Sequence, residues 1–327
     1  MEKWKEVFEE ARHGKLNILE YLSRSEGPQL FSTALNDLLL QGAMPELPDS
    51  WQQLYSEITI QRRDINFPSI DGGTVDLVPE LGEFKSNTIA FSSVTVTPQK
   101  FGRILPFSRE MADDNEVDLL GWRTRELGRE SREQRRREAF KCLASFSTGP
   151  AVASNIIGNT DHGFRYPQGG YSNLVSATGA SWEEIIGRSI QRLASQTYTV
   201  GNQTVNFPVT PTHIVAHPHH MMAILKVLSP AITVVATGIG SQGNATNVAG
   251  SNIFKGVIQP IFDPTLVTAQ AFVLAAKQGL VMVNRDPLTL ETKEDYKFDV
   301  DDMKVRERYL PAVVRERFIA DVQMSAA

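Results

Sequence analysis

The spacing of apolar residues changes period along the chain, and each change marks an element. Trp4, Val7, Phe8 and Ala11 fall at helical spacing and leave Lys5, Glu6, Glu9 and Glu10 on the other face, predicting a short amphipathic helix. A second short helix is expected over 32–41. Gly14, Gly27-Pro28 and Met44-Pro45-Glu46-Leu47-Pro48 interrupt this region, so residues 1–65 read as an arm of short pieces. Their apolar faces are too small for a core and call for a docking surface on the body or on a neighbouring subunit. From Asn66 to Phe107 the character turns strand-like. Two runs, 75–84 and 88–97, with Val94, Thr95, Val96 and Thr97 alternating, flank the polar tip Gly82-Glu83-Phe84-Lys85-Ser86-Asn87. A long two-stranded hairpin follows, and such a hairpin is not stable unless something packs against it.

Residues 113–146 then read as one long helix, opened by capping candidates Asp113, Asp114 and Asn115 and closed by Thr148-Gly149-Pro150. Val117, Leu120 and Leu127 mark an inner stripe that Phe140 and Leu143 resume. The stretch between, Arg123 to Glu138, is rich in arginine and glutamate, and pairs such as Arg129 with Glu133 and Glu133 with Arg137 sit one turn apart. This is the pattern of a spine crossing the subunit surface. Its arginine excess also suits an acidic neighbour or DNA, although helical arginines are more often solvated or paired. Beyond it, helix and strand alternate. Ser181 caps a helix to about Ser195 with Trp182, Ile185, Ile186, Ile190 and Leu193 on one face. Strands are expected at 213–216, 272–275, 280–283 and 296–308, a helix at 219–228, and an apolar ending over 312–322. Lys304-Val-Arg-Glu-Arg-Tyr309 suggests a sheet with one wet face. Helices and strands are therefore expected to pack together in an α+β or α/β layer.

A chain of 327 residues with 41% hydrophobic residues is long enough to bury roughly three quarters of its unfolded surface. A net charge of −5 and a pI of 5.8 argue against a dedicated nucleic-acid binder, so contact with DNA would be local and weak. The single cysteine, Cys142, rules out an intramolecular disulfide and a cysteine-based zinc cluster, and reads as a small core residue on a helix in a reducing compartment. The start, Met1-Glu-Lys-Trp-Lys-Glu-Val-Phe, has neither the basic opening nor the apolar run of a secretory signal. The richest apolar window, Ala269 to Val283, is broken by Gln270, Lys277, Gln278 and Gly279, short of the roughly 20 apolar residues of a membrane span, so a soluble protein is expected.

Catalytic chemistry finds one respectable pattern. Gly238-Ile-Gly240-Ser-Gln-Gly243 fits the dinucleotide fingerprint, follows the apolar run 231–236 and precedes Asp263 by about 20 residues. The continuation Asn244-Ala-Thr-Asn-Val-Ala-Gly-Ser-Asn252 is rich in helix breakers, so no helix N-terminus is expected to hold a pyrophosphate. His217-Pro-His219-His220 invites a metal, but Pro218 and the adjacent spacing do not put the rings on one helical face. No nucleophile elbow, Walker loop or His-Glu-x-x-His helix occurs. The expectation is a protein with no catalytic, cofactor-binding or metal site.

The order of parts, an arm, an extended hairpin, a long charged helix, an α/β region and closing strands, resembles the major capsid proteins of tailed double-stranded-DNA bacteriophages, the Johnson or Hong Kong-ninety-seven fold. Phe101-Gly-Arg-Ile-Leu-Pro-Phe-Ser-Arg-Glu-Met-Ala-Asp-Asp114 is similar to that family's run from hairpin into spine. Pro211-Thr-His-Ile-Val-Ala-His-Pro218 resembles its strand leading to a helix, and Asp302-Met-Lys-Val-Arg-Glu-Arg308 its late strand. The resemblance covers nearly all of the chain from Asn66 and is weakest before it. It implies an N-terminal arm (1–65), an extension-loop hairpin (66–107), a peripheral domain with the spine helix (108–180), an axial domain (181–283) and peripheral return strands (284–327). It further implies a shell subunit forming hexamers and pentamers around packaged DNA in the virion, assembled in the host cytoplasm. Identical subunits, a portal, and scaffolding or decoration proteins are the implied partners. Lys85 is the one candidate for a crosslink of the kind some relatives make, against the plainer reading of a solvated tip lysine. Two other classes compete: an encapsulin-type compartment enclosing enzyme cargo, and a nucleotide-dependent enzyme.

Overall fold

The computed structural model describes residues 27–44, 49–70, 91–108, 117–148, 174–177, 179–200, 203–228, 256–295 and 300–324. Five α-helices lie among them: α1 (Gly27–Ala43), α2 (Ser50–Leu54), α3 (Val117–Thr148), α4 (Trp182–Ala194) and α5 (Met221–Leu228). The strands are β1 (Ser56–Thr59), β2 (Ile65–Ile70), β3 (Phe91–Val96), β4 (Gln99–Ser108), β5 (Leu174–Ser176), β6 (Thr197–Val200), β7 (Gln203–Asn206), β8 (His213–Ala216), β9 (Gln259–Phe262), β10 (Gln270–Leu274), β11 (Leu280–Asp295), β12 (Val300–Val313) and β13 (Ile319–Gln323).

Two sheets organise the molecule. One has the order β1-β11-β12-β4, with β1 parallel to β11 and the other neighbours antiparallel. The second has the order β5-β13-β10-β8-β9, parallel at both of its edges. They share one core. Its centre is built from Trp51, Leu54 and Tyr55 of the α2 region, Phe140 and Leu143 of α3, Phe272 of β10, Met282 of β11, Tyr309 of β12 and Ile319 of β13. The other face of the second sheet is covered by α4 and α5 through Ile185, Ile186, Leu193 and Ile224. α4 forms as its sequence dictates: the Ser181 hydroxyl accepts from the Glu184 N–H, Glu183 and Glu184 occupy the first turn, Arg192 the last, and the isoleucines share a face.

Several elements depart from the pattern reading. α1 starts at Gly27 rather than at 32, because a proline in the first turn gives up only an N–H that has no intrahelical partner, so Pro28 is accommodated. At its other end α1 crosses α3 with backbones nearly touching: a Cβ on Gly42 would overlap the Arg125 carbonyl, and one on Gly128 the Leu39 carbonyl. Leu35, Leu38 and Leu39 then pack with Leu127, Leu290, Met303 and Val305. The apolar run at 280–283 is only the beginning of the 16-residue β11. It continues through Asn284-Arg285-Asp286-Pro287, where two register shifts, between Asn284 and Asp286 and between Asp286 and Thr289, form bulges that tolerate a proline.

The 66–107 block also divides. β2 and β3 form their own antiparallel ladder, from Ile65 opposite Val96 to Ile70 opposite Phe91, while β4 leaves it and pairs with β12 over ten residues. The expected strand at 75–84 and the polar tip lie outside the described residues, as do the helix at 4–11 and the caps at 113–115. Finally, β13 does not remain with β11 and β12: it sits between β5 and β10 in the second sheet. Its burial is complete from Ile319 to Val322, and only a strand covered on both faces accepts such a run.

Candidate functional site

α3 is where the charged residues do their structural work. It is buried at two places, Leu127 against α1 and Ala139, Phe140, Cys142 and Leu143 in the shared core. Between them one turn carries three arginines that reach three different elements. Arg132 holds both oxygens of Asp49, the residue preceding α2, at 3.0 and 3.1 Å. Arg135 donates to Glu307 of β12 at 2.8 Å and lies over the Tyr309 ring, 4.7 Å from its centre. Arg136 pairs with Asp263, which follows β9, and with Glu133 at 2.6 Å. Asp263 and Glu307 are nearly buried, with 1% and 4% exposure, so both carboxylates depend on these partners. The remaining oxygen of Glu307 accepts from Ser131 at 2.6 Å, and that of Asp263 from the Thr265 N–H at 2.8 Å. Hydrogen bonding to Arg136 holds the Glu133 carboxyl below its ordinary pKa. The arrangement contains fixed ion pairs and no activated nucleophile; its chemical capacity is to lock a helix to both sheets.

Around this seam the surface is grooved. A cavity of 650 Å³ separates α3 from the first sheet, with Leu127, Leu288 and Val305 at its floor and an Arg103–Glu130 ion pair of 2.9 Å at its rim. Another, of 710 Å³, opens where α1 crosses α3. Large apolar side chains are exposed nearby: Ile104 on β4 (55%), Trp122 on α3 (60%) and Met44 after α1 (71%). The hairpin base is anchored, since Val96 is fully buried and Ile65 and Phe67 pack on Val281, Val283 and Leu310 of the first sheet.

The residues weighed for chemistry take structural positions. Asp263 is the buried partner of Arg136, not a free acid awaiting a ribose, and Gly238 to Gly243 lie outside the described residues. His217 caps the short 3-10 turn Pro218–His220, its Nδ1 accepting from the His219 N–H at 3.0 Å, and His220 donates from Nε2 to the Thr268 carbonyl at 2.7 Å. Among the described residues no group of three or more His, Cys, Asp or Glu is arranged to hold a metal. Cys142 is buried, its Sγ 3.5 Å from the Pro311 carbonyl, and burial pushes its thiol up to about 12. Lys85 lies outside the described residues. The pattern reading anticipated paired arginines on α3 but not their distant partners; Asp49, Asp263 and Glu307 are far away in sequence and carry no local signal.

A model of the phage capsid protein family matches residues 92–322. No curated protein matches the chain. Among solved structures, the capsid of the cyanophage P-SCSP1u superposes with a TM-score of 0.57 at 11% identity, covering 87% of this chain and 91% of that one. The capsid of a native GTA particle gives a TM-score of 0.55 at 10% identity, covering 87% and 93%. A virus-like particle from Pyrococcus furiosus gives 0.51 at 12%, covering 90% and 99%. Identities this low establish a common fold, the α+β capsid fold that the order of parts implied. With the family model spanning more than two thirds of its residues and that fold underneath, the chain belongs to the phage capsid protein family.

Proposed function

We propose that this capsid protein assembles as hexamers and pentamers into a closed icosahedral shell around double-stranded DNA, without catalysing a reaction. The observation that carries the reading is the β2–β3 ladder: it belongs to neither sheet, is fixed to the body at its base, and leads into twenty further residues, 71–90, between its strands. A hairpin of that length is stable only against a second surface, and identical neighbours supply one wherever subunits repeat by symmetry. In this reading residues 66–98 form the extension loop, α3 with the β11–β12 ribbon and β4 the peripheral region, and α4, α5 and most of the second sheet the axial region.

DNA contact would be weak and independent of sequence, given the net charge of −5. A portal and scaffolding or decoration proteins complete the proposed partners, with assembly in the host cytoplasm and the virion as destination. Membership of a phage capsid family favours this reading over an enzyme-filled compartment. Negative-stain electron microscopy of the purified chain, with size-exclusion chromatography alongside, tests it: closed particles, capsomers or tubes are expected, nucleic acid rather than a protein guest inside them, and a persistent monomer or dimer would overturn it. Deleting Leu81 to Thr88 should leave a folded body that no longer closes shells.

A further inference from the structure

The cavity at the α1–α3 crossing combines features that a solvent-facing surface rarely holds together. Trp122 and Met44 stand 60% and 71% exposed at it, and Arg125 and Arg129 line it. Arg129 reaches Glu126 at 3.3 Å with its own side chain 74% exposed, and Arg125 makes no ion pair with a described residue. A tryptophan and a methionine beside the exposed Arg125 and Arg129, with Glu126 the acidic residue of the lining, make a receptor for an amphipathic, acidic segment.

The chain carries one such segment. Trp4, Val7, Phe8 and Ala11 form an apolar stripe at helical spacing, and from Glu2 to Ala11 four glutamates, Glu2, Glu6, Glu9 and Glu10, stand against two lysines, Lys3 and Lys5. Its connection to the cavity is short enough. α1 begins at Gly27 and its far end reaches the cavity, a distance of about 25 Å for 17 helical residues. Residues 12–26 between the segment and α1 span up to about 50 Å when extended, twice what the return path needs. A tether of that length keeps the segment at millimolar-scale effective concentration, far above what a separate chain reaches in dilute solution.

From this match of apolar stripe, charge and reach, we infer that the amino-terminal segment Trp4–Ala11 docks in cis on the α1–α3 crossing of its own unassembled subunit, over Trp122 and Met44 and beside Arg125 and Arg129. The inference does not rest on shell formation, which microscopy reads separately. Because the native cysteine is buried, paired cysteines report the contact cleanly. The full chain carrying Phe8→Cys and Met44→Cys is oxidised at low micromolar concentration, and non-reducing electrophoresis with peptide mapping identifies the disulfide. An intrachain link between positions 8 and 44 is expected, at least tenfold above that formed by Phe8→Cys with Met222→Cys on α5, whose side chain is 79% exposed. Replacing Glu9 and Glu10 by lysine should slow the 8–44 link severalfold. A dimer band would place the segment on another copy and overturn docking in cis; no link, or one equal to the control, would overturn the contact itself.

Discussion

Removing the charge of Arg136 while keeping its reach, Arg136→Met, leaves Asp263 buried at 1% exposure with the Thr265 N–H as its one side-chain partner among the described residues. An uncompensated buried carboxylate costs about 3–5 kcal/mol. The reverse substitution, Asp263→Ala, is milder, because Arg136 retains Glu133 at 2.6 Å and the side chain is 20% exposed, leaving it partly solvated. The loss is then the net worth of one charged hydrogen bond plus an unpaired Thr265 N–H, about 1–2 kcal/mol. With an unfolding entropy near 2 cal/mol/K per residue, a chain of this size should lose roughly 5–8 °C in Tm from the first change and about 1.5–3 °C from the second. The double variant should recover most of the loss, since an apolar pair in place of a buried ion pair is often nearly neutral. Calorimetry of the unassembled subunit reads all three. If Asp263→Ala proves the costlier single change, or the double variant is additive, Asp263 does not depend on Arg136 as the geometry says.

Three further outcomes test other parts of the structure. Gly128→Ala should cost about 2–3 kcal/mol, since its Cβ meets backbone at the α1 crossing, whereas Gly187→Ala on α4, with nothing within 4 Å, should gain about 0.5–1 kcal/mol; thermal shifts of opposite sign check this. Burial holds His213 below its ordinary pKa, so the unfolded chain takes up a proton as pH falls through about 6.5 while the folded one resists it. Stability contributed by neutral His213 is thus present above that pH and is lost below it, and His213→Gln should flatten the denaturation midpoint between about pH 7 and 5. Cys142, its thiol held near 12 and its side chain buried, should resist iodoacetamide at pH 8 until the chain unfolds, and fast modification of the native protein would contradict its place in the core.

Local information determined a good deal of this protein. The α4 helix follows from Ser181 and its isoleucine face, β8 from the apolar run Ile214 to Ala216, and α3 from the arginine- and glutamate-rich run between two apolar patches. The order of these parts resembled a capsid subunit, and the family match agrees. Pattern was silent where partners are distant. The apolar run 280–283 reads as a short strand, and only pairing with β12 carries it through Asn284 to Pro287 as bulges into one long strand. β13 reads as an apolar tail, and its position between β5 and β10 was decided by a core that needed a central strand. Arg132, Arg135 and Arg136 read as a solvated helix face, yet Asp49, Glu307 and Asp263 approach them from 83, 172 and 127 residues away. Helix periodicity and capping are set within a few residues, so the sequence displays them directly; the pairing of buried charges and the choice of sheet are set by desolvation and packing across the whole chain, and those terms exist only once the tertiary structure has brought the groups together.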